Sequence, residues 1–302
     1  MRLIACIRST LSVVLCVVAL QSARANDVQP RLYSNVPTGV NFLSLVYAHS
    51  EGEVTFDDSV PLEDVEGDID SYLVSFARGL NIGGKSVLLS VAVPYTDIAL
   101  DGLYLGLPAS GQRQGMGDPV VRLAVNLHGA PALTPEEFRS FKPKTIIGAS
   151  FSVGIPLGRY DRDRVLNICT NRWTLIGRLG LSHRIGQWEF ESEAGVIWSS
   201  SNDEVLRTNR LEQDPTGLLR GGVIYHFGPG VWLGGGFSYL YGGDTKLNGV
   251  KRDDHRNNWR VGAAISFPLA RGHQMQLRVT DGVASRIGGD FTTYALAYTR
   301  TF

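Results

Sequence analysis

Apolar and polar residues alternate along most of the chain, in segments of roughly ten residues separated by turn signals. Val87, Leu89, Val91, Val93 and Tyr95 share one face of such a segment, and Val121, Leu123, Val125 and Leu127 share one face of the next. Trp259, Val261, Ala263, Ile265 and Phe267 make a third stripe, and Tyr294, Leu296, Tyr298 and Phe302 a fourth. The opposite faces are small or polar, as in Arg122, Ala124, Asn126 and His128. A period of two predicts strands whose two faces meet different surroundings. Twelve are predicted, near 40–49, 69–80, 85–97, 117–128, 144–156, 171–184, 187–199, 216–227, 231–243, 257–268, 273–282 and 290–302. Soluble strands have a modal length of ~5–6 residues, and most of these run about twice that.

The connections alternate in length. Ile82-Gly83-Gly84, Ile185-Gly186, Gly228-Pro229-Gly230 and the turn at Arg271-Gly272 are short, and long loops near 50–68, 98–116, 157–170, 200–215, 244–256 and 283–289 lie between them. Short turns on one side and long loops on the other are the rule of outer-membrane barrels. An even strand count places both ends of the barrel on the periplasmic side. One periplasmic connection, Gly129 to Pro143, is long; Thr134 before Pro135, Glu136 and Glu137 predicts a short helix with a capped start. If Ile185-Gly186 forms a two-residue hairpin, Arg184 pairs with Gln187 and Arg178 stands opposite Glu193.

The aromatic residues strengthen the membrane reading. Trp188 and Trp198 lie on one face of one strand, which at a tilt of ~40° separates them by ~25 Å along the membrane normal, the height of a lipid-facing band. Trp173, Trp259 and Tyr241 fall at one rim; Phe227, Phe267 and Phe302 fall at the other.

The first 25 residues read as a cleaved leader. Arg2 and Arg8 precede an apolar run from Leu11 to Leu20, and Ala23-Arg24-Ala25 is a cleavage site. The leader holds three of the 29 Lys and Arg and none of the 29 Asp and Glu, so the mature chain, 26–302, carries a net charge of −3. That balance offers no basic patch for nucleic acid. Cys6 and Cys16 leave with the leader, and Cys169 alone cannot form an internal disulfide. Nothing after residue 25 is a long enough apolar run for a spanning helix. A membrane protein without spanning helices must be a closed barrel, since lipid offers no partners for unpaired backbone groups. The expectation is a twelve-stranded antiparallel transmembrane β-barrel in a bacterial outer membrane, in contact with lipid and lipopolysaccharide. The terminal Phe302, with Tyr298 and Leu296 before it, looks like the signal by which assembly machinery recognises such barrels.

Ile155-Pro156-Leu157-Gly158-Arg159-Tyr160-Asp161, then Leu166-Asn167 and Asn171-Arg172-Trp173, resemble the MetA-pathway of phenol degradation family of outer-membrane transporters. Asp214-Pro215, Gly228-Pro229-Gly230-Val231-Trp232, Asn248-Gly249-Val250 and Asn257-Asn258-Trp259-Arg260-Val261-Gly262 are similar to it too, and the resemblance spans roughly 30–302. Cys169 stands where the family pattern leads one to expect Gly. The resemblance implies an uptake channel associated with aromatic catabolism.

Strand parity points Arg122, Asn126, Arg178, Glu189, Glu191, Glu193, Arg220, His226, Arg260, Gln274, Gln276 and Arg278 into the lumen. Rings of charge can set channel selectivity, or can pair and hold a narrow barrel in shape. Tyr160 and Asp161 are candidates for a loop that folds inward as a constriction, or for a structural corner. The loop 51–70 is acidic throughout and reads as a solvated, self-repelling segment, with divalent-cation ligation as the alternative. Glu189, Glu191 and Glu193 project from one strand and cannot flank a scissile bond from two sides. No Gly-x-Ser-x-Gly motif occurs. The sequence therefore predicts no catalysis, no cofactor and no metal, and a channel for small aromatic or carboxylated solutes. A structural or adhesive barrel is the main alternative, and an outer-membrane lipid enzyme a lesser one.

Overall fold

The computed structural model describes residues 30–302, with the exception of 32, 57–61 and 165, so the predicted leader and its cleavage site lie outside the described residues. The strands are β1 (Asn41–Thr55), β2 (Leu62–Ile82), β3 (Lys85–Tyr104), β4 (Leu107–Met116), β5 (Val120–His128), β6 (Thr145–Gly154), β7 (Thr174–Ile185), β8 (Trp188–Ser199), β9 (Asn202–Val205), β10 (Asn209–Gln213), β11 (Thr216–Gly228), β12 (Val231–Gly242), β13 (Thr245–Leu247), β14 (Val250–Lys251), β15 (Arg256–Ala270), β16 (His273–Ala284) and β17 (Gly288–Thr301); a short helix, α1 (Pro135–Ser140), follows β5.

Twelve of these strands close an antiparallel barrel, in the order β1-β2-β3-β5-β6-β7-β8-β11-β12-β15-β16-β17, with β17 pairing back onto β1. β4 is not a thirteenth stave. Along β3, residues 87–92 pair with β5 and residues 95–104 pair with β4. The two lie end to end, interrupted at Gly117-Asp118-Pro119, where proline has no N–H to give the ladder. Strands β9, β10, β13 and β14 form a small separate sheet in the outer connections.

Large apolar side chains stand exposed on the outer wall all around the barrel, among them Leu45, Val74, Val91, Phe151, Leu179, Val196, Leu219, Val261, Leu277 and Leu296. In water so broad an apolar surface would drive association; in a bilayer it is the solvated face. Trp188 meets Tyr225 edge-on at 4.8 Å, and Tyr225 meets Phe227 at 4.9 Å. Toward the other end, Tyr239 stacks on Trp259 at 4.4 Å.

Three expectations are corrected. The segments 50–68 and 98–116 are not mainly loops: β1, β2 and β3 continue through them, and β4 returns along β3. The reason is that their inward positions are apolar. Val54, Val65, Ile69, Ile98 and Phe291 pack together with Ile168 and Cys169, so the outer extension closes its own core. The acidic residues described there, such as Glu51, Glu53, Glu66 and Asp68, take the alternate, exposed positions. Asp57 and Asp58 lie outside the described residues. The third correction is the β7–β8 register. Ile185 pairs with Trp188, and Arg184 with Glu189, so the turn is Gly186-Gln187. Gly186 has φ +61°, which a β-branched residue such as Ile185 would resist. The slip is two residues, so every side chain keeps its face.

The predicted helix forms as α1. Thr134 Oγ1 accepts from Glu137 N at 3.3 Å, and Glu137 Oε2 accepts from Thr134 N at 2.8 Å, a complete capping box.

Candidate functional site

The inner face is built by the same alternation that gives the outer one. On β8, Glu189, Glu191 and Glu193 point inward while Trp188, Phe190 and Trp198 point out. Arg220 stands directly opposite Glu193 on β11, and Arg178 reaches Glu193 from β7. The Arg220 and Arg178 guanidiniums lie 3.3 and 3.5 Å from Glu193 Oε1, and all three side chains are buried. His226 Nε2 is 2.6 Å from Glu189 Oε2, and Ser182 Oγ donates to Glu189 Oε1 at 2.6 Å. The serine and the histidine thus address different oxygens of one carboxylate. They form no nucleophile–base pair.

The other predicted lumen residues also face inward. Asn126 is buried across from Gly148. Arg260 is buried and donates to the Phe291 carbonyl. Gln274 Nε2 donates to the Gly230 carbonyl at 2.7 Å and to Ser266 Oγ at 2.8 Å, and Gln276 stands opposite Ser266. Arg278 lies opposite Ala264 and Ala295.

The segment before β1, which no periodicity marks, occupies the periplasmic part of this lumen. Arg31 N donates to Glu191 Oε2 at 2.8 Å, and Tyr33 OH donates to Glu193 Oε2 at 2.8 Å. The Tyr33 ring is 4% exposed and lies against Gly148 of β6 and Gly180 of β7. A Cβ at either glycine would sit 2.2 or 2.0 Å from a Tyr33 ring carbon, so both positions must be free of side chain for the ring to enter. Asn35 Nδ2 donates to the Pro131 carbonyl and Thr38 N to the Leu133 carbonyl, which tie the segment to the connection between β5 and β6. Glu191 and Glu193 therefore hold the inserted chain, and Glu193 holds the two arginines beside it as well.

On the outer side of this segment lies a cavity of about 260 Å³. Its lining includes Leu73, Val120, Ile176, Ile197 and Leu240, which are apolar, and Arg122, Arg172, Arg178 and Arg256, with Asp118 and Asp214 as its acids. Ile168 and Thr170 of the connection after β6 contribute to the wall. Of the predicted lumen residues only Arg122 and Arg178 line this cavity. Arg172 and Arg256 were missed, although parity with the outward Trp173 and Asn257 would have found both.

Tyr160 and Asp161 do not line the cavity. Tyr160 OH accepts from Asn202 Nδ2 at 3.0 Å and donates to the Glu204 carbonyl at 3.3 Å. Asp161 faces Arg113 at 3.2 Å and Arg164 at 3.3 Å. The backbone N–H of Asp163, then these two arginines, hold its carboxyl below the usual range. This part of the connection is a structural corner, and its continuation from Ile168 to Arg172 is what reaches the lumen. Cys169 Sγ packs against Gly158 so closely that a Cβ there would lie 2.0 Å away. His49 Nδ1 lies 3.1 Å from Asp70 and 3.8 Å from Asp68, but this trio sits on the outer wall.

The family model for the MetA-pathway of phenol degradation matches residues 54–294. The chain belongs to this family. Among solved structures, a COG4313 outer membrane channel from Pseudomonas putida F1 superposes with a TM-score of 0.76 at 20% identity, covering 91% of this chain and 100% of that one. The transport unit of the autotransporter AIDA-I from Escherichia coli gives a TM-score of 0.53 at 8% identity over 94% of this chain and 97% of that one. The beta domain of the Bordetella autotransporter BrkA gives 0.51 at 12% identity over 87% and 100%. At these identities the likeness is one of fold. No curated protein matches the sequence. The closed twelve-strand wall, apolar outer face and aromatic belts are those of an outer-membrane β-barrel, the fold these structures share.

Proposed function

We propose that this barrel carries small aromatic or carboxylated solutes across the outer membrane. The observation that supports the reading is the cavity on the outer side of Tyr33, where apolar side chains and guanidinium groups share one wall. An apolar wall offers a place for a ring, and an arginine can both stack on a ring and fork onto a carboxylate. The name of the family points toward aromatic catabolism, in agreement with this lining. Passage to the periplasm requires the segment at Tyr33 to yield, because its ring fills the space beside Gly148 and Gly180.

The test is solute flux. Liposomes containing the purified, folded barrel should take up labelled benzoate or phenol faster than empty liposomes and should exclude a trisaccharide. The structural reading draws on one observation, the inserted segment with Tyr33 buried among the lumen charges. It prevails if neither flux nor conductance is measured for the native barrel or for Tyr33→Ala.

A further inference from the structure

Arg122 stands on β5 between Ser90 of β3 and Ser152 of β6 and lines the lumen cavity. Its Nε and Nη2 are buried from solvent and have no hydrogen-bond partner among the described residues. No ion pair meets its charge there either. Glu193 is already engaged by Arg178, Arg220 and the Tyr33 hydroxyl. Asp118 accepts from Gly158 N at 3.0 Å, and Asp214 faces Lys246 at 3.5 Å. The cavity wall thus carries four arginines against two acids. Arg178 has its counter-charge in Glu193 outside this count, and arginine cannot shed its proton at any ordinary pH, so the charge of Arg122 is the one to be met. A buried charge without a partner is strongly unfavourable unless something else supplies the partner.

We propose that the cavity is a binding site for an aromatic monocarboxylate, with Arg122 as the residue that takes the carboxylate. Because Nε and Nη2 are closed off from solvent, the side chain turns on its flexible stem to present two parallel N–H donors to the two oxygens of a carboxylate. Ser152 stands beside Arg122 and accepts from Arg178 Nη1 at 3.4 Å, which leaves its own hydroxyl hydrogen free to donate to the same anion. The apolar lining at Val120, Ile176 and Leu240 receives the ring. A dianionic phosphate would satisfy the arginines but would waste this apolar surface, and a neutral phenol would use the surface but leave the charge of Arg122 unmet. The site deepens the channel reading and rests on it for its role, but binding is measured apart from transport.

The experiment is equilibrium binding of labelled benzoate, benzyl alcohol, acetate and inorganic phosphate to the full-length barrel folded in detergent. Benzoate should occupy one site and bind at least ten-fold more tightly than each of the other three. Arg122→Gln should weaken benzoate at least ten-fold and leave benzyl alcohol unchanged, while Arg122→Lys should restore part of the affinity. Thermal melting of the ligand-free variants supplies a readout that a structural arginine would fail: Arg122→Gln should melt at the same temperature as the native barrel or higher. Equal binding of benzoate and benzyl alcohol, benzoate binding unaffected by Arg122→Gln, preferred binding of phosphate, or no binding of any probe would each overturn the site. Benzoate binding without flux would remove the channel reading and keep the site; flux of benzoate that is indifferent to Arg122→Gln would remove the site and keep the channel.

Discussion

Arg178 Nε lies 3.5 Å from Glu193 Oε1, although the residue opposite Arg178 in the β7–β8 ladder is Gly195. The pair is diagonal. It forms because Gly195 leaves room: a Cβ at that position would stand 2.9 Å from Arg178 Cγ. Glu193 in turn faces Arg220 directly across the β8–β11 ladder and accepts from Tyr33, so one carboxylate joins two staves and the inserted segment.

Removal of this carboxylate should therefore cost more than removal of either arginine. Glu193→Ala strands two buried guanidiniums, and breaking a buried ion pair costs about 3–5 kcal/mol. Arg178→Ala leaves Glu193 with Arg220 and Tyr33 and should cost less. The double variant should be less destabilised than the sum of the two. Denaturant unfolding of the barrel in micelles, followed by tryptophan fluorescence, measures all three; strictly additive losses would count against the coupling.

The strands were legible because each has one apolar face, as Val121, Leu123, Val125 and Leu127 illustrate. Parity also survives a slip of two residues, which is why Arg178 and Glu193 could be matched through a register that Gly186 in fact shifts. The outer extension was hidden. Asp101 and Gly102 read as loop, and the inward Ile98 gains meaning only against Ile69 and Phe291, which come from distant parts of the chain. The inserted segment was hidden for a stronger reason. Tyr33 has no period around it, and its site is made by absence of side chain at Gly148 and Gly180, a signal that a sequence shows only as two more glycines among many.

Ile98 is fully buried in the outer cluster with Val54, Val65, Ile69 and Phe291. Ile98→Ala should remove about 2–5 kcal/mol from that region by loss of contacts and by the cavity left behind. Because the cluster lies in the outer extension, the loss should show first as increased protease cleavage near residues 98–116, before any change in heat-modifiable mobility of the whole barrel. Unchanged proteolysis would mean that the cluster does not hold the extension.

The capping box of α1 makes a pH prediction on the periplasmic side. The Thr134 backbone N–H, then its hydroxyl, hold the Glu137 carboxyl below the ordinary glutamate range. A depressed folded value means that the carboxylate stabilises the helix start above the unfolded value, and that this is lost as pH falls through the folded one. Amide exchange at Glu137 and Phe138 should accelerate relative to neighbouring turns under such acid conditions. Thr134→Ala should produce the same relative acceleration at neutral pH; protection indifferent to both would mean that the box does not close in solution.

Inside the lumen the Tyr33 ring packs directly against Gly180. A Cβ at 180 would lie 2.0 Å from Tyr33 Cε2, with two further ring carbons within 2.7 Å, and the backbone of a paired strand cannot retreat by that much. Gly180→Ala should therefore displace the ring and, with it, the hydrogen bond from Tyr33 OH to Glu193. Tyr33→Ala should open the same space from the other side, while Tyr33→Phe keeps the ring and removes only the hydroxyl, worth about 1.5–3 kcal/mol as a bond to a charged group. In planar bilayers the expected order of single-channel conductance is native and Tyr33→Phe low, with Tyr33→Ala and Gly180→Ala raised to a similar level. The double variant Tyr33→Ala with Gly180→Ala should add little, because the alanine then has no ring to displace. If Gly180→Ala conducts as the native barrel does while folding normally, the ring does not set the narrowest point of the path, and the constriction must be sought at the cavity arginines instead.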